Sequence, residues 1–113
     1  MIVLHLYCNC EDKIKAIATA LLNEKLARAI DVDFDRERYL EENGQAEITR
    51  VHKLTCLTQT GFFDEINELL RQRFPGACQE IYSIPVVHMD WDRVRELKIT
   101  SSPLPDDHSA ELH

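Results

Sequence analysis

The chain has 113 residues, 44% hydrophobic and 29% charged, which suits one globular domain and excludes a disordered or fibrous chain. Lys and Arg number 13 against 20 Asp and Glu, a formal charge of -7. No basic block offsets that acidity, so nucleic acid and anionic membrane are not expected partners.

Residues Ile2 to Cys8 are apolar and β-rich, and they read as a buried strand. Asn9 is placed to cap a helix, with Asp12 three residues on. Ile14, Ile17, Ala18, Leu21 and Leu22 then recur at helical spacing, predicting a helix over residues 10–25. The next run alternates strictly. Ile30, Val32 and Phe34 face one way, and Asp31, Asp33 and Asp35 the other. Asn43-Gly44 is the best hairpin turn in the chain, and residues 45–59 form the return strand. A three-residue loop ending at Gly44 sets Val32 opposite Leu54 and Asp33 opposite Lys53, pairing apolar with apolar and acid with base.

Thr60 or Gly61 opens a second helix with the stripe Phe63, Ile66, Leu69, Leu70 and Phe74, and Pro75-Gly76 ends it. A fourth strand is expected over residues 79–87. Asp90 is placed to cap a short last helix carrying Trp91, Val94 and Leu97. Residues 99–113 read as a flexible tail, which leaves one domain over residues 1–98. The order β-α-β-β-α-β is that of an α+β, ferredoxin-like sandwich with an antiparallel four-stranded sheet. Two helices cover one sheet face. The other carries Val3, His5 and Tyr7 from the first strand, too apolar to stay wet, and a second subunit is its expected cover.

These segments resemble the CutA divalent-cation-tolerance family. The resemblance is carried by Ile17-Ala18-x-Ala20-Leu21-Leu22-x-x-x-Leu26-Ala27, by Tyr39 followed by Glu42-x-Gly44-x-x-Glu47, and by Leu57-Thr58-Gln59-Thr60. Phe74-Pro75-Gly76-x-x-Gln79-Glu80-Ile81 with Ile84-Pro85-Val86 completes it. It implies a PII-like homotrimer with sheets facing inward, a hairpin reaching the neighbouring subunit, and a non-enzymatic role in metal binding or metal response. Some polar positions differ from the family pattern: its Cys falls near Ala29, its Asn near Asp31, and its Lys at Gln59.

Four side chains are the expected metal ligands. Thiolates and imidazole suit Cu or Zn, and the fold plan brings Cys8, Cys10, Cys78 and His52 to one end of the sheet. The same residues also suit plain core packing. Asp31, Asp33 and Asp35 could hold a hard cation or form a solvated face. Cys56 reads as inert core, and His5 and His88 as satisfied structural imidazoles. No G-x-S-x-G, H-E-x-x-H or P-loop motif is present, so no catalytic residue is assigned. A PII-like module binding a small metabolite between subunits, or a protein-interaction scaffold, remain alternatives. Met-Ile-Val-Leu-His-Leu-Tyr-Cys shows no basic n-region, and a cytoplasmic setting with reduced thiols is expected.

Overall fold

Alternation decides the first strand. In β1, Ile2–Cys8, the side chains of Ile2, Leu4, Leu6 and Cys8 are buried, while Val3, His5 and Tyr7 are only half-buried. The computed structural model describes residues 1–90. After β1 come α1 (Glu11–Asn23), β2 (Ile30–Glu42), β3 (Gln45–Thr58), α2 (Phe63–Arg73) and β4 (Cys78–Pro85). A 3-10 turn at Thr60–Phe62 leads into α2. The strands form one antiparallel sheet in the order β2-β3-β1-β4. This is the expected α+β, ferredoxin-like arrangement. The short helix expected after Asp90 and the tail over residues 99–113 lie outside the described residues.

The core lies between the sheet and the two helices. Leu4, Leu6, Cys8, Leu54 and Cys56 meet Ile14, Ile17 and Leu21 of α1 and Ile66 and Leu70 of α2. Each fully buried Leu or Ile contributes about 1.5–3 kcal/mol relative to exposure. Helix α1 starts one residue later than Asn9 capping would give. Cys10 is the N-cap without a side-chain bond, and its carbonyl accepts from the Ile14 N–H at 3.1 Å. Glu11 and Asp12 in the first turn meet the positive end of the helix dipole instead. The helix closes with Lys25 at φ 59 and the Leu26 N–H bonded to the Leu21 carbonyl at 2.9 Å. That is a Schellman closure with lysine where glycine is usual. Thr58 then donates to the Leu26 carbonyl at 2.6 Å, tying this turn to the end of β3.

The β2–β3 register is as expected, with Val32 opposite Leu54 and Asp33 opposite Lys53, but its cause differs. The turn holds two residues, not three: Asn43 at φ 52 and Gly44 at φ 79 connect the pair Glu42 and Gln45. This is the type I′ geometry that Asn-Gly favours. The missing offset is supplied by a bulge between Asp33 and Arg36, where Asp35 takes φ 58. The aspartate alternation therefore stops at Asp33, and Asp35 does not join Asp31 and Asp33. Residues 36–51 form an arm beyond the part of β3 that pairs with β1. Tyr39, 65% exposed, and Ile48, 58% exposed, face each other on it.

Candidate functional site

One level of the sheet gathers the expected ligands. Cys8 is the register partner of His52 on β3 and of Cys78 on β4. Both outer strands of the sheet are irregular here. On β4, the register shifts after Tyr7, so Cys8 faces Cys78 rather than Gln79. On β2, the Asp35 bulge lies beside His52. Bulges re-aim side chains and are frequent beside functional sites. Cys10 follows Cys8 at the start of α1 and packs against the core edge.

Proximity is not convergence. The Cys8 thiol donates to the Cys10 carbonyl at 3.4 Å. His52 accepts the Asp35 N–H on Nδ1 at 3.1 Å, so its ring proton sits on Nε2 and its lone pair is already used. Its ring also meets the edge of Phe34, at 5.4 Å between centroids. Burial, with a smaller contribution from Cys8, pushes the Cys78 thiol up to about 11. Burial alone pushes Cys56 up to about 12, as an inert core thiol requires. Among the described residues, no group of three or more His, Cys, Asp or Glu side chains could hold a metal ion. Cys8, Cys10, Cys78 and His52 share a level but do not form a metal centre in this conformation.

A second cluster occupies the sheet face opposite the helices. Cross-strand rows set Asp33, Lys53, Tyr7 and Glu80 side by side, and next to them Asp31, Thr55, His5 and Tyr82. The His5 and Tyr82 rings stack at 4.9 Å. Arg38 reaches in from the arm, its guanidinium 4.6 Å from the Tyr7 ring centre, and pairs with Glu80. Lys53 Nζ lies 5.5 Å from the same ring. The Tyr82 hydroxyl, 3.5 Å from that of Tyr7, holds the Tyr7 phenol below its usual range, with help from Lys53 and Arg36.

His5 is not the satisfied imidazole expected from sequence. Its Nδ1 is buried without a hydrogen-bond partner, and burial with nearby Lys53 lowers its pKa. The period-two pattern of β1 placed His5 and Tyr7 on this face. The approach of Arg38 was not readable, because it depends on the bulge that shifts the register between Asp33 and Arg36.

The chain matches no known family model. It also matches no curated protein. Solved structures do match. A divalent cation tolerance protein, Cut A1, from Thermus thermophilus superposes with TM-score 0.76 at 19% identity, over 90% of this chain and 100% of that one. CutA1 from Oryza sativa gives 0.76 at 17% identity, over 91% and 94%. A protein from Archaeoglobus fulgidus described as a periplasmic divalent cation tolerance protein, CutA, gives 0.73 at 18%, over 88% and 98%. Core alternation, sheet order and the long hairpin are what such a likeness reports, and the chain therefore has the CutA fold.

Proposed function

We propose that this protein is a non-enzymatic, homotrimeric module of divalent cation tolerance. The observation that carries the reading is the sheet face left bare by both helices. It holds half-buried Val3, His5 and Tyr7 beside Ile84, 48% exposed, and the arm with Tyr39 and Ile48 extends from it. A face of that character suits burial against other subunits, and solved proteins of the same fold are described as divalent cation tolerance proteins. The cation is cargo rather than a resident cofactor. Zn²⁺ or Cu(I) is proposed to engage Cys8, Cys10 and Cys78 only after the thiols turn, with His52 joining if the Asp35 bond opens. Four free cysteines suit a reducing, cytoplasmic setting. No helix among the described residues is long and apolar enough to cross a membrane.

Native mass spectrometry of the reduced protein, titrated with Cu(I) and Zn²⁺, tests both parts. The expected result is a trimer with one metal per chain, lost in Cys8→Ser and Cys10→Ser. A monomer would overturn the assembly, and a metal-free trimer would overturn the cargo. A second reading, a metabolite bound between subunits, is favoured by the unpartnered Nδ1 of His5 beside Tyr82 and Lys53. A small anion that raises the melting temperature of the metal-free trimer would support it.

A further inference from the structure

The same sheet level supports a second chemistry that needs no metal. The register shift in β4 turns Cys78 toward Cys8 and makes the two direct cross-strand partners. Opposed residues of antiparallel strands have Cα atoms about 4.5–5.5 Å apart. Disulfides need about 4.4–6.8 Å. The side chains of such partners emerge on the same sheet face. Cys8 is fully buried in the core cluster and Cys78 packs against it. Cys78 is also reachable from outside. It lines a surface groove with Asn67, Leu70, Arg71 and Phe74, between α2 and β4. Both cysteines are free thiols.

We propose that Cys8 and Cys78 form a reversible cross-strand disulfide when the protein meets hydrogen peroxide. The groove-facing Cys78 sulfur attacks one oxygen of hydrogen peroxide as its minor thiolate, a slow step for a thiol pushed up to about 11. The O–O bond breaks, Cys78 becomes a sulfenic acid, and one water leaves with the thiol proton. The Cys8 sulfur then attacks Cys78 Sγ. The S–O bond breaks as the S–S bond forms, and the hydroxyl leaves as a second water carrying the Cys8 proton. Two thiols and one peroxide give one disulfide and two waters. Cys10 is a poorer partner for Cys8, because the Cys8 thiol points at the Cys10 carbonyl and the two lie along one chain rather than across strands. The bond would pin β4 to β1 at the level where their ladder is irregular.

The test uses the full chain, reduced, stripped of metal with a chelator and then exposed to hydrogen peroxide. Intact mass is read first. Unreduced peptide mapping follows, with fragmentation that separates Cys8 from Cys10. The expected product is lighter by two hydrogens per chain, carries a Cys8–Cys78 link, and reverts with a phosphine. Cys10→Ser is expected to give the same link. A Cys8–Cys10 link, a link between chains, or oxygen adducts without any link would overturn the proposal. The wild-type map decides this even where Cys78→Ser fails to fold. Because no metal is present, the result is independent of the cation reading.

Discussion

Lys25 holds a left-handed conformation that a β-carbon disfavours, and it does so at an exposed helix end. Replacing it with glycine keeps the Schellman bonds and removes the strain. Lys25→Gly is expected to stabilise the fold by about 1 kcal/mol, read from denaturant midpoints at unchanged m-value. His5 gives a pH dependence with a definite sign. Its folded pKa lies below the unfolded value of 6.5, chiefly through burial and then through Lys53. The unfolded chain therefore takes up the proton first. The contribution of neutral His5 is complete above about pH 6.5 and is lost as pH falls from there toward the folded pKa. His5→Phe retains the stack on Tyr82 and removes the titration, so melting temperature is expected to fall less between about pH 7 and pH 5. Equal slopes in the two proteins would refute that origin. The ring's position was readable from strand alternation. Its missing partner was not, since it depends on which groups the neighbouring strands present.

At the scale of elements, hydrophobic periodicity decided most of the fold. The six principal elements lie close to where apolar spacing and turn residues placed them, because burial dominates their formation. The errors come where backbone geometry acts without an apolar signal. The helix N-cap moved from Asn9 to Cys10, and the offset assigned to the hairpin loop belongs to the Asp35 bulge. Register arithmetic cannot tell an extra turn residue from an extra strand residue. The candidate ligands were legible as neighbours for the same reason, since topology sets the sheet level. Their side-chain directions were not, because those follow from the two bulges. Leu6 tests the core side of this account. It is fully buried against both neighbouring strands and belongs to the central cluster. Leu6→Ala is expected to cost about 2–5 kcal/mol in chemical unfolding. Gly44→Ala, at φ 79, is expected to destabilise by about 1 kcal/mol through the turn alone.

For the whole molecule, the unequal faces of the sheet dictate the assembly proposed. The helix side buries its apolar residues within the chain, whereas Ile84 and Val3 meet across β1 and β4 on the other side. A charge there should harm association more than folding. Ile84→Lys is expected to shift the species seen by light scattering from trimer to monomer while helix and sheet signals in circular dichroism persist. Retention of the trimer would show that this face is not the interface. The bare face was legible in β1 from Val3, His5 and Tyr7. Its charged border was not, because Arg38 and Glu80 are 42 residues apart and the β2 register shifts between Asp33 and Arg36 on the way to Arg38.

The left-handed residue at Asp35 also separates two length scales. On the body side of the bulge, every pairing is tied to the core. On the far side, the arm keeps its own ladder down to a two-residue turn. Residues added or removed in matched pairs beyond Arg36 and Val51 leave body register, core contacts and bulge unchanged. The hairpin is thus an adjustable reach set on a fixed mount: its span can drift through insertion and deletion while the sheet that carries the cysteines stays as it is.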